Sequence, residues 1–242
     1  MSTLPNQSDI GEPSPGWRQR VDELAKPAPL LSPPAPWLAF ELVGLALVPL
    51  IVMSYILWDR QVIQWSLTLD PSQLEWAQFL SHAAHGKVII PAMVVLLVVS
   101  LWLKRAVLQR WTTVWILGFA FESIAVNLLK IFFGRYRPKT LGQGFYGFEP
   151  FSVGYEMNSF PSGFFAAGGG VVGGVVRRRA RLWRGWIVAA LGWGSCRVFS
   201  HAHYIGDVLA GLYLGAGCTF LAYAILRRKA WWNRQFESGG VG

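Results

Sequence analysis

The feature that most constrains this chain is a series of apolar runs separated by clusters of arginine and lysine. Six runs fall at about 38–58, 88–103, 111–133, 161–176, 185–200 and 206–226. A helix needs roughly 20 apolar residues to cross the hydrocarbon core of a bilayer. The first, third and sixth runs meet that length. The other three either extend into their flanks or sit in a thinner bundle. The fourth contains FFAAGGGVVGGVV, a poor helix in water, but in a membrane such small residues let helices approach closely. With 53% of 242 residues hydrophobic and 14% charged, the chain is too apolar for an ordinary soluble domain. The expectation is an all-α fold, a six-helix transmembrane bundle over residues 37–230. Residues 1–36 hold eight of the fourteen prolines and read as a disordered tail, and 231–242 read as a second tail. The first tail lacks the basic and short apolar regions of a cleaved signal peptide, so it reads as part of the mature chain.

The basic residues set the orientation. Fifteen of the 22 lie in four regions: Arg18, Arg20 and Lys26; Lys104, Arg105 and Arg110; Arg177, Arg178, Arg179, Arg181 and Arg184; and Arg227, Arg228, Lys229 and Arg234. Six crossings put all four on one side, which the positive-inside rule makes the cytoplasm, with both termini cytoplasmic. Topology and anionic headgroups then account for the net charge of +9, and no nucleic-acid partner is implied. On the other face, PSQLEWAQFLSHAAHG in the loop 59–87 reads as an amphipathic interfacial helix. Its His82 and His85 have no further ligand nearby and read as surface histidines. Cys196 and Cys218 fall in apolar runs and read as buried thiols. Five cations break the charge pattern: Lys130, Arg135, Arg137, Lys139 and Arg197. They cluster at the outer ends of the third and fifth runs and need a reason beyond topology.

That reason lies in three blocks on the same face. In KIFFGRYRP, Lys130 sits near the end of the third run and Arg137 follows seven residues on, after Gly134 has broken the helix. In FPSGF, Ser162 and Gly163 open the fourth run, and a helix start offers unpaired N–H groups and partial positive charge to an anion. In CRVFSHAHYIGD, Arg197 ends the fifth run, and His203 precedes Asp207 by four residues. Three cations, a hydroxyl and a His-Asp pair suit phosphoryl transfer: cations neutralise the transferred oxygens, and an imidazole can attack phosphorus.

These blocks resemble the signature of the type 2 phosphatidic acid phosphatase (PAP2) family, which includes vanadium-dependent haloperoxidases. The family pattern is KxxxxxxRP, PSGH and SRxxxxxHxxxD. Here Lys130-x6-Arg137-Pro138, Pro161-Ser162-Gly163-Phe164 and Cys196-Arg197-x5-His203-x3-Asp207 match it in order and internal spacing. The resemblance covers about residues 38–226. It implies that His203 is the nucleophile forming a phosphohistidine and that Asp207 orients it. It also implies that Lys130, Arg137, Ser162, Gly163 and Arg197 bind the phosphate, with no metal or other cofactor. Two positions depart from the pattern. Cys196 replaces Ser, a near-isosteric exchange. Phe164 replaces the His that donates a proton to the leaving group, and a general acid is typically worth about 10²–10⁴-fold.

The cost of Phe164 depends on what leaves. A lipid alkoxide is strongly basic and needs protonation, whereas a lipid phosphate departing from a diphosphate does not. The residues therefore favour a lipid or polyprenyl diphosphate over a monoester. His201 is an alternative proton source. A lipid-phosphate-binding pseudoenzyme and a lipid phosphotransferase stay open, and vanadate is expected to inhibit as a phosphate mimic. Glu122 and Asn127 inside the third run raise a transporter reading. No inverted repeat is visible to support it, and Glu122 reads first as a bundle contact. The expected setting is a bacterial inner membrane with the site facing the periplasm or exterior. The expected partner is a membrane lipid phosphate or diphosphate.

Overall fold

The computed structural model describes residues 35–83, 86–104, 106–163 and 180–228. Seven α-helices follow in order: α1 (Ala35–Met53), α2 (Asp59–Ser66), α3 (Pro71–Ala83), α4 (Gly86–Trp102), α5 (Ala106–Phe133), α6 (Ala180–Phe199) and α7 (Ile205–Leu226). A π-helical turn, Ser54–Trp58, joins α1 to α2, and a 3₁₀ turn covers Pro138–Gln143. Among the described residues there is no strand, only an isolated antiparallel bridge between Arg135 and Phe148. The stretches Phe40–Ser66, Leu108–Phe133 and Ile205–Leu226 are long and apolar enough to cross a membrane, and Val88–Trp102 is a shorter apolar helix. Residues 164–176 of the fourth apolar run, residues 1–34 of the first tail and all of the second lie outside the described residues, while Ala35 and Pro36 belong to α1.

The first span runs further than the sequence suggests. Asp59 and Arg60 look like its aqueous end, yet the helical path continues to Ser66 with Asp59 fully buried. A buried carboxylate is tolerable only when paired and hydrogen-bonded. Asp59 meets that condition through Arg135, whose guanidinium lies 2.6 Å away.

Helix α7 is the hub, packed by α5, α1 and α6, while α4 packs on α5 and α3 on α6. Val114 of α5 meets Ala222 and Leu226 of α7 in a buried apolar cluster. On the α1 side, Phe40 stacks on Tyr213 with ring centroids 4.4 Å apart. The predicted interfacial segment forms α3, which buries Leu74, Ala77 and Ser81. Other large side chains stay exposed along the helices, among them Leu45, Ile56, Val95 and Leu128, as a lipid-facing surface requires.

One end of the bundle is closed by the segment 134–163. Gly134 ends α5 as expected, with φ +56°, and a Cβ there would fall 1.7 Å from the Glu149 carbonyl oxygen. The chain then folds back through main-chain bonds from Tyr136 to Gly147, Arg137 to Glu156 and Ser159 to Arg135. Between α6 and α7 the chain reverses in a Schellman turn. The Ala202 N–H reaches the Arg197 carbonyl at 3.1 Å, and the His201 N–H reaches the Val198 carbonyl at 2.9 Å. His201 occupies the left-handed position of that turn, with φ +54°.

The Ser162 carbonyl lies directly against α7 at Gly211, where a Cβ would sit 2.0 Å from its oxygen. Helix propensity alone favours alanine over glycine by about 1 kcal/mol. The backbone contact reverses that sign, because a carbonyl oxygen held by the main chain has nowhere to move. Gly211→Ala is expected to lower the thermal midpoint of the detergent-solubilised protein. A rise would show that the 162–163 turn does not press on α7.

Candidate active site

The turn after α6 and the first turn of α7 deliver His203 and Asp207 to a closed interior, 1% and 0% exposed. The His203 Nδ1 lies 2.8 Å from the Ser159 carbonyl oxygen and 3.7 Å from Asp207 Oδ2. A carbonyl only accepts, so Nδ1 carries the proton and Nε2 keeps its lone pair. The tautomer is thus fixed by a peptide group that the sequence pattern did not single out. Asp207 stands at ion-pair distance from the ring and makes its hydrogen bonds elsewhere. Its Oδ1 takes Arg135 Nη1 at 2.5 Å, and its Oδ2 takes the Ser159 hydroxyl at 2.5 Å and the Tyr204 N–H at 2.9 Å. It caps its own helix and faces the histidine at once.

The phosphate-binding candidates converge from four segments. Lys130 is half-buried in the last turn of α5, with Arg137, Arg197 and Asp207 as its charged neighbours. Arg137 is held by three backbone carbonyls: Tyr155 to Nε at 2.7 Å, Ala202 to Nη1 at 3.1 Å and Asn158 to Nη2 at 3.2 Å. Its guanidinium also lies 4.2 Å from the centre of the Tyr155 ring. Of the five N–H groups on an arginine, two then remain for a ligand. Arg197 uses Nη1 on the Ser81 hydroxyl of α3, at 2.9 Å, and on the Ser81 carbonyl. Ser81 therefore anchors one cation of the group.

The Ser162 hydroxyl is buried and has no hydrogen-bond partner among the described residues. Its N–H donates to the Asp207 carbonyl at 3.0 Å. Gly163 is exposed beside Val126. Phe164 lies outside the described residues. His201 is drawn to α2, with Nε2 2.9 Å from Ser66 Oγ. That contact and its place in the Schellman turn give it a structural use.

Burial pushes the His203 imidazole down to about 4, with Arg197 and Arg137 adding to the effect and Asp207 opposing it. The ring is neutral at physiological pH. Burial also disfavours the Arg137 charge. Burial works against Arg135 as well, but Asp207 and Asp59 more than offset it and hold that guanidinium above its ordinary range. The site can therefore receive a phosphoryl group between fixed cations and present to it a neutral nitrogen with a free lone pair. No group of three or more metal-ligating side chains occurs among the described residues.

The family model described as the PAP2 superfamily matches residues 111–231, half of the chain and all three sequence blocks. The chain belongs to the PAP2 superfamily. Two curated relatives of this PAP2 protein are both named lipid A 1-phosphatase. The one from Rhizobium johnstonii is 35% identical over 109 residues, 45% of this chain and 45% of that protein. The one from Rhizobium etli is 34% identical over 109 residues, 45% of this chain and 47% of that protein. The matched part thus spans under half the length of either relative. In fold, the chain resembles a transmembrane PAP2-type phosphatidylglycerolphosphate phosphatase from Bacillus subtilis. That likeness has a TM-score of 0.56 and 22% identity, and it covers 80% of this chain and 98% of that one. The all-helical PAP2 architecture and its apolar spans make this an integral membrane protein.

Three residues of the site escaped the sequence reading. Ser159 and Ser81 carry no signal beyond being polar. Arg135 had one, since it was among the cations that topology left unexplained.

The buried neutral imidazole has a consequence for stability. His203 titrates near 6.5 when exposed and near 4 in the fold, so the unfolded chain takes up its proton first as pH falls. Stability present above about 6.5 is lost on the way down to about 4. The thermal midpoint should fall across that window, and His203→Asn should flatten the fall. Equal slopes in the two proteins would contradict a buried neutral ring.

Proposed function

We propose that this protein is a membrane lipid phosphatase that transfers a phosphoryl group from a lipid phosphate, preferentially a lipid or polyprenyl diphosphate, to His203 and then to water. The observation that carries the reading is His203 itself: a buried neutral imidazole with Nδ1 on the Ser159 carbonyl, which leaves Nε2 with its lone pair, beside Arg137 and Arg197. Lys130, Arg137 and Arg197 neutralise the oxygens of the transferred group, and the unpartnered Ser162 hydroxyl supplies a further donor. The names of the curated relatives support a lipid phosphate as the substrate class.

In the first step the Nε2 lone pair forms a nitrogen–phosphorus bond while the bond from phosphorus to the leaving oxygen breaks. That oxygen takes the electron pair. The ring keeps its Nδ1 proton and becomes positive, facing Asp207. In the second step a water oxygen bonds to phosphorus, the nitrogen–phosphorus bond breaks, and its pair returns to Nε2. Both water protons leave with orthophosphate. Nothing in the first step protonates the leaving oxygen, which suits a lipid phosphate and not an alkoxide. With both termini cytoplasmic, the site faces the periplasm or exterior, and a lipid reaches it sideways from the outer leaflet.

The test compares wild type, His203→Ala and Phe164→His on polyprenyl diphosphate, phosphatidic acid and lipid A, reading released phosphate. The expected result is fastest release from the diphosphate, none with His203→Ala, and a gain on phosphatidic acid with Phe164→His of about 10²-fold or more. Equal rates on monoester and diphosphate in the wild type would sink the leaving-group argument. Residual turnover with His203→Ala would sink the nucleophile.

A further inference from the structure

The mechanism above uses Asp207 but leaves unexplained why a second carboxylate is buried beside it. Asp59 is fully enclosed in a membrane-spanning stretch, at the first residue of α2. It accepts from the Ser54 hydroxyl at 2.6 Å, the Gly206 N–H at 3.2 Å and Arg135 Nη2 at 2.6 Å. The other terminal nitrogen of the same guanidinium donates to Asp207 at 2.5 Å. One arginine thus forks between two carboxylates, one from α2 and one from α7. Aromatic rings wall it in, with the centres of Tyr204, Tyr55 and Phe148 at 4.4, 5.1 and 5.2 Å from the guanidinium carbon.

The charge count gives this arrangement a chemical meaning. Asp207 with Arg135 alone would sum to zero, and a carboxylate neutralised in that way would do little for a cationic ring beside it. Asp59 restores one net negative charge to the buried group, and the side of the group that faces His203 is Asp207. In a dry interior such a charge acts strongly over a few ångströms. The rigid arginine fork also fixes where the Asp207 oxygens point, which a lysine point charge would not do.

We propose that Asp59 is a positioning residue for the phosphoryl-transfer reaction: acting through Arg135, it leaves Asp207 with the net negative charge that stabilises His203 when the ring becomes positive. This rests on His203 being the nucleophile. Asp59 touches neither the imidazole nor the cations of the phosphate cradle, so its contribution belongs to the transition state and not to substrate binding.

The experiment measures kcat and KM on polyprenyl diphosphate, with rapid-quench labelling of the phosphoenzyme from labelled substrate. Asp59→Asn keeps the shape and removes the charge, while Arg135 stays paired with Asp207. The expected loss in kcat is about 10–100-fold, the size typical of removing a partner one shell out from the reacting groups. KM should stay within about twofold, as for a contribution made only in the transition state. Asp59→Glu should recover most of the rate. Asp59→Asn combined with Arg135→Gln removes the cation that would otherwise neutralise Asp207, and should be more active than Asp59→Asn alone.

If the double variant is equal to or worse than Asp59→Asn, the role is only structural and the proposal falls. It falls equally if Asp59→Asn changes KM and leaves kcat intact. Should Asp59→Asn fail to fold, Arg135→Lys keeps the charge without the fork. Because the net charge of the group survives, it should keep kcat within a few-fold at constant KM, and a loss as large as about 10–100-fold would assign the effect to geometry alone and overturn the proposal. A wild type that turns over without phosphoenzyme would refute the His203 nucleophile itself. A wild type that forms phosphoenzyme, with a fully active Asp59→Asn, would refute only the role of Asp59.

Discussion

The arrangement of this end of the bundle depends on one guanidinium placed between two carboxylates. Taking an aspartate out of water costs several kcal/mol, and Asp59 and Asp207 lie at 0% exposure on the two terminal nitrogens of one guanidinium. Without Arg135 they would repel and one would be forced neutral. With it, α2, the segment that closes the bundle and α7 are tied at a single point. Because removing a partner from such a group leaves a charge stranded, the three segments cannot drift apart independently. The catalytic candidates inherit that rigidity: Asp207 belongs to the group directly, and Ser159 is held by it through both its hydroxyl and its N–H.

Ser159 carries the consequence to the imidazole. Its N–H is bound by the Arg135 carbonyl, its hydroxyl by Asp207, and its own carbonyl receives the His203 Nδ1 proton. A single residue therefore converts the geometry of the ion group into a choice of tautomer. Arg137 shows the same economy on the other side, gathering the carbonyls of Tyr155, Asn158 and Ala202 with three of its nitrogens. Cations fixed by carbonyls are in place before a ligand arrives, which is the condition for electrostatic preorganisation.

Much of this was legible in the sequence, for identifiable reasons. The third and sixth apolar runs became α5 and α7 almost residue for residue, because their apolar character is sustained along a full span and Gly134 marks a true end. The PSQLEWAQFLSHA part of the interfacial pattern became α3. The three blocks were legible because their order and spacing resemble the PAP2 signature, and the family model matches all three. What stayed hidden were pairings over long separation. Asp59 looked like the end of a span because its partner lies 76 residues away. The hydrogen bond of His203 went to a carbonyl, which every residue has and no motif can encode. Nothing local to Ser162 shows that its N–H bonds to the Asp207 carbonyl, 45 residues on.

The state of His203 bears on the choice between a phosphate binder and an enzyme. For pure binding, a fourth positive charge among Lys130, Arg137 and Arg197 would strengthen the hold on phosphate. A direct carboxylate partner would favour the protonated ring. The fold does the reverse: it buries the ring, gives Nδ1 to a neutral carbonyl and holds Asp207 3.7 Å away. That forfeits affinity in the resting state and keeps a lone pair on Nε2. In the proposed mechanism the same Asp207 gains its full effect only once Nε2 has bonded and the ring has turned positive. An interaction weak in the ground state and strong in the transition state is what catalysis requires. The electrostatics of the buried group favour a nucleophile over a binder on that ground, whichever lipid supplies the phosphate.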